Sequence, residues 1–184
     1  IFQHAIFTIP NYSEGYTTDD NARALMVSIL LEEIGNKASS DMATRYLAFI
    51  WHAFNEKTKR FRNFMDYQRN WLEESGSDDS HGRALWSLGV VLGHSNIPTL
   101  HNMAGRIFQQ SLLSILETTS PRAWAFALLG IHEYLLVFNG DRRVSQVQTE
   151  LAGRLLSLYR INKTEGWNWF EDKLTYCNAA LSQA

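Results

Sequence analysis

Apolar residues recur at three- and four-residue intervals through most of this chain, and that spacing predicts seven helices. Residues 1–18 read as irregular, because Pro10 and Gly15 interrupt any period. From Asp19 onward, Ala22, Leu25, Met26, Ile29, Leu30 and Ile34 mark a helix over 19–35, stopped by Gly35 and Asn36. Ser40 or Asp41 is placed to cap a second helix carrying Met42, Tyr46, Leu47, Phe49, Ile50 and Phe54. Residues 56–70 turn short-period and aromatic, which predicts an extended loop or a small hairpin. Further helices are expected at 78–93, from Pro98 to 116, at 121–138 behind Pro121, and at 144–159. A second aromatic loop occupies 166–172, and a seventh helix is expected from Leu174.

The odd-numbered helices are rich in Ala, Leu, Gly and Trp past their first turns, and the even ones carry more Lys, Arg, Glu and Gln. Such alternation is what nested helical hairpins require, with inner helices apolar nearly all round and outer ones bearing a single stripe. The fold class expected is all-α: one domain over 1–184, built as a helical-hairpin (α/α) toroid. The pattern stops mid-helix at Ala184, so an incomplete half-barrel is expected, with homodimerisation covering its open inner face.

Composition adds few constraints. The formal charge of −2 gives no electrostatic reason to expect a nucleic-acid partner. The single cysteine, Cys177, leaves no internal disulfide, which fits a reducing compartment and a cytoplasmic location. No apolar run is long enough for a membrane span. Neither a Gly-rich phosphate loop nor a His/Cys/Asp/Glu run with ligand spacing occurs, so neither cofactor nor metal is expected.

Two stretches repeat each other. Thr17-Thr-Asp-Asp-Asn-Ala-Arg-Ala-Leu25 and Ser77-Asp-Asp-Ser-His-Gly-Arg-Ala-Leu85 each join small polar residues to an acidic pair, an arginine and an apolar run. Asp20 stands three residues before Arg23, and Asp79 four before Arg83, so each acid and arginine share a helix face. Two helices therefore present similar polar ends to one rim. Together with Trp169-Phe-Glu-Asp-Lys-Leu-Thr-Tyr-Cys-Asn-Ala179, these segments resemble a helical domain of bacterial carbohydrate-active proteins. That domain often follows a retaining-type glycosyltransferase domain and is itself similar to the six-hairpin glycosidase toroids. The resemblance runs from His4 to the end. It implies a cleft for sugar lined by inner-helix ends and their loops.

On that footing the acids are weighed first. Glycoside hydrolysis needs one carboxyl to donate a proton and a second to activate water or attack the sugar. The candidates are Asp20, Asp79, Glu171 and Asp172. In each Asp-Asp pair the first acid is expected to cap the helix, which frees the second. Arg23 and Arg83 are expected to be held by nearby carboxylates while ordering the rim. Trp167 and Trp169 bracket Asn168 and offer flat faces to a sugar. His81, Tyr16, Tyr176 and Asn178 complete the expected substrate contacts. The alternatives are a non-catalytic carbohydrate-binding or scaffolding module and, with less support, an epimerase, which would need more rim histidines than His81.

Overall fold

In the computed structural model, which describes residues 2–36 and 39–184, four of the long helices start where a hydroxyl or carboxylate takes an orphan N–H. Thr17 caps α1 (Thr18–Glu33) by accepting from the Asp20 N–H. After α2 (Ser39–Ala53), Ser77 caps α3 (Asp78–His94) through the Ser80 N–H. Helix α4 (Pro98–Ser111) starts on a proline and passes directly into a 3-10 turn, Leu112–Glu117. Ser120 caps α5 (Pro121–Val137), and Asp141 caps α6 (Arg142–Asn162). A short α7 (Asn178–Gln183) ends the chain.

The protein is mostly helical, as the periodicity predicted. Helices α1 and α2, α3 and α4, and α5 and α6 pack as hairpins. Across the hairpins, α3 packs on α1 and on α5, and α5 packs on α7. The core lies between these rows, on Leu25, Ile29, Leu85, Leu88, Phe126 and Ile131 from the odd helices and Ile50, Phe108 and Leu151 from the even ones. Helix α3 is buried along most of its length, including Gly82 and Gly89. Those glycines let two backbones touch: a Cβ on Gly82 would stand 2.5 Å from the Ala123 carbonyl, and one on Gly130 of α5 2.6 Å from the Leu85 carbonyl.

Three differences from the predicted elements have local causes. The stretch before α1 is not wholly irregular. It forms a small hairpin, β1 (Ala5–Ile6) with β2 (Ile9–Pro10), and then β3 (Tyr16–Thr17). The aromatic segment after α2 contributes β4 (Phe54–Asn55) and β5 (Arg60–Phe61), which pair as the expected hairpin. It also contributes β6 (Phe64–Met65), which pairs antiparallel with β3, setting Tyr16 opposite Met65 and Thr17 opposite Phe64. Finally, α7 begins at Asn178 rather than near Leu174, because Cys177 takes a left-handed backbone (φ 48°) that no helix interior accommodates. Among the described residues no helix is long and apolar enough to cross a membrane.

Candidate functional site

The N-terminal ends of α1, α3 and α5 are joined by hydrogen bonds into one polar rim. The Asp19 N–H donates to Asn63 Oδ1 (3.1 Å), and the Thr18 N–H donates to the Asn63 carbonyl (2.9 Å). Glu73 holds that loop by accepting from the Asn63 and Phe64 N–H groups at 2.7 and 3.1 Å. Asp78 links three elements: it takes Arg60 at 2.7 Å and the Thr119 and Ser120 N–H groups at 2.9 and 3.3 Å. Burial opposes its charge, but those N–H donors and Arg60 outweigh it and hold the carboxyl below its usual value.

The rim encloses a cleft of about 470 Å³, lined among others by Asp19, Asp20, Arg23, Asp79, Arg83 and Tyr176. Thr17, Asn63 and Phe64 line it as well. Asp20 accepts from the Thr17 hydroxyl at 2.5 Å and faces Arg23 Nη2 at 3.0 Å. Among the described residues Asp79 has no arginine ion pair; its Oδ1 accepts from the Ser120 hydroxyl. Burial pushes the Asp79 carboxyl above its usual value, against the Ser120 hydroxyl and the fields of Arg122 and Arg83. Asp20 and Asp79 therefore share one cavity in unlike settings, one ion-paired and one partly desolvated.

Several expectations are corrected here. The first acid of each pair does not cap its helix, because the preceding Thr17 and Ser77 hydroxyls already do. Arg83 does not turn to Asp79 on its own helix. It crosses to α1, with Nε 2.5 Å from Asp19 Oδ1 and its guanidinium 4.2 Å over the Phe126 ring. Asp19, expected to be structural, is the acid both rim arginines converge on, since Arg23 pairs with it as well.

His81 does not reach the rim. One turn into α3 it falls on the buried face with Leu85 and Leu88, and it is fully enclosed. Its Nε2 lies 3.0 Å from Ser114 Oγ in the 3-10 turn, whose hydroxyl also reaches the Lys59 carbonyl at 2.8 Å. Burial lowers its pKa to about 3, with Arg60 acting in the same direction.

Glu171 and Asn178 lie apart from the cleft acids, in a cluster around Arg122. The Arg122 guanidinium donates to both Glu171 oxygens at 2.8 Å, to Asn178 Oδ1 at 3.1 Å, and to the Thr175 hydroxyl and Tyr176 carbonyl. Glu171 is thus bound up in holding the 163–177 loop. Asp172 is exposed, with no hydrogen bond or ion pair among the described residues. Trp167 donates to the Glu171 carbonyl at 2.6 Å, and Trp169 packs on the core edge-on to Phe170 at 5.4 Å, so both indoles brace the loop from within. Tyr176 is the aromatic that this loop lends to the cleft.

Tyr16 lies on the other side of the β3–β6 ribbon. It and its partner Met65 line a second, larger groove of about 840 Å³ with Asn21, Arg45, Tyr46, Phe49, His52 and Arg69, whereas Thr17 and Phe64 line the acidic cleft. Opposed residues of an antiparallel pair share a face, and neighbours alternate, so the ribbon divides the two cavities.

Sequence reasoning missed Arg122, Asn63 and Ser120. Ser120 carried a usable signal: a serine before proline at the start of α5, in the place Thr17 and Ser77 hold on α1 and α3. Among the described residues no group of three His, Cys, Asp or Glu side chains is placed to hold a metal. No protein-family model matches this chain, and no curated protein matches it either.

Proposed function

We propose that this chain is a carbohydrate-active domain whose acidic cleft carries out glycoside hydrolase-like acid/base chemistry on an oligosaccharide or polysaccharide. In this reading the arc of hairpins belongs to an (α/α) toroid of the six-hairpin glycosidase kind, of the type found beside glycosyltransferase domains. The observation that carries it is the unequal pair of acids on one cavity. Asp79, its carboxyl pushed up by burial, is suited to donate a proton to the glycosidic oxygen. Its Oδ1 is occupied by Ser120, which leaves Oδ2 for that proton. Asp20, paired with Arg23, is the second carboxyl, acting as base or nucleophile. Tyr176 and Phe64 offer the flat faces on which a sugar ring packs.

The test is hydrolysis of a panel of oligosaccharides, followed by release of reducing ends, with Asp79→Asn as the variant. Loss of a general acid lowers kcat by about 10²–10⁴-fold while leaving sugar binding intact. Undiminished hydrolysis by Asp79→Asn refutes the assignment. A second reading is favoured by one observation, that Thr17 and Arg23 already engage Asp20. It is a non-catalytic carbohydrate-binding module, and binding with no turnover by the unaltered protein selects it.

A further inference from the structure

The larger groove, across the ribbon from the acidic cleft, has a chemistry of its own. Helix α2 supplies Arg45, Phe49 and His52 at spacings of four and three residues, which puts all three on one face, with Tyr46 beside them. Tyr16 of β3 forms the facing wall, its ring 6.3 Å from Phe49. Arg69 enters from the turn that follows β6. That turn is closed by Asp66, whose carboxylate takes the Asn70 N–H at 2.8 Å and the Asn70 amide at 3.0 Å. The turn holds Arg69 in a left-handed backbone, φ 71°, which side chains rarely adopt without a reason.

Charge sets this groove apart. Arg23, Arg60, Arg62, Arg83, Arg122 and Arg154 each pair with a carboxylate. Arg45 and Arg69, like Arg106, Arg142, Arg143 and Arg160, have no carboxylate partner among the described residues, but these two share one groove and no acid lines it. The nearby Asp66 is spent on Asn70. Two unpaired guanidiniums from separate elements, in a groove that Tyr16, Tyr46 and Phe49 also line, match a ligand whose ring presents a C–H face and bears a planar anion. The volume of about 840 Å³ falls within the ~300–1,000 Å³ typical of small-molecule sites. Asn21, the amide among the described lining residues, donates to the Thr17 carbonyl at 2.7 Å.

We propose that this groove binds an acidic saccharide, a uronate-bearing glycan whose ring lies on the aromatic wall and whose carboxylate is clamped between Arg45 and Arg69. The site stands on this side of the ribbon alone and does not depend on catalysis in the acidic cleft.

Calorimetric titration at low salt with tetragalacturonate, and with its fully methyl-esterified form, tests the proposal. The acid is expected to bind and the ester to bind at least tenfold more weakly. Arg45→Gln and Arg69→Gln are each expected to weaken the acid at least tenfold. Both side chains are exposed, so their melting temperatures should match the unaltered protein, and Asp79→Asn should retain full affinity. Equal binding of acid and ester overturns the proposal, as does full affinity in both arginine variants or no binding of the acid at all. Displacement by an equal concentration of inorganic phosphate also overturns it, because the site would then read charge without the ring.

Discussion

His81 gives the fold a specific sensitivity to acid. In the unfolded chain this imidazole takes up a proton near pH 6.5, but in the folded protein it resists doing so until about pH 3. The unfolded state therefore binds the extra proton throughout that interval, and stability falls as pH falls from 6.5 towards 3. Above pH 6.5 the contribution is intact. Each unit of separation is worth about 1.4 kcal/mol, so at pH 5 the linkage amounts to about 2 kcal/mol. The ring is fully enclosed, so bulk solvent does not screen it. His81→Gln removes the titration while keeping a group that can reach Ser114. Urea unfolding of both proteins at pH 7.5 and pH 5.0 isolates the effect, because every other titrating group cancels in the difference. The unaltered protein should lose about 2 kcal/mol more than the variant between the two conditions. With a slope of about 2–2.5 kcal/mol per molar urea, that is a relative midpoint shift near 0.8–1 M. Midpoints that move in parallel would mean that His81 is protonated in place, and the reasoning would fail.

Two further predictions concern packing. Arg122→Met should leave the Glu171 carboxylate unpaired and cost about 3–5 kcal/mol, with amide exchange rising across 163–183 first; protection that survives there would show that the tryptophans alone hold the loop. Gly89→Ala should destabilise by about 1–3 kcal/mol or more, since its Cβ would overlap the Gly130 backbone, whereas Gly153→Ala in α6, with open space around it, should stabilise by about 0.5–1 kcal/mol; thermal melts of both variants check the opposite signs.

The helices were legible because a buried face leaves a period, and the long ones fall within two or three residues of where that period put them. The exception is the join after α4, where the apolar run continues but the backbone tightens into a 3-10 turn at Leu112. Period alone does not distinguish the two. The rim was legible as a place but not as a set of pairs. Asp20, Asp79, Arg23 and Arg83 do meet at one cleft. Which acid holds Arg83 was decided by packing against Phe126, a residue more than forty positions away that no local spacing could include. His81 failed for the opposite reason. It reads as polar and near a helix start, yet the same helical arithmetic that buries Leu85 and Leu88 carries it inward. The tryptophans misled because the local sequence does not tell an indole offered to a ligand from one that pins its own loop.

The two-residue ribbon of β3 and β6 has a consequence for how this surface can change. Gly15, just ahead of it, has φ 69°, and a side chain there would collide with the Met65 backbone, so the strand enters in one frame only. Inserting or deleting a single residue would invert the pleat and exchange the contents of the two chambers. Tyr16 would swing towards the acids, and Thr17 would lose the position from which it caps α1. Only changes that preserve parity, adding or removing residues in twos, leave both chambers furnished. The acidic and the basic chamber are in this sense one heritable unit, tied by four residues.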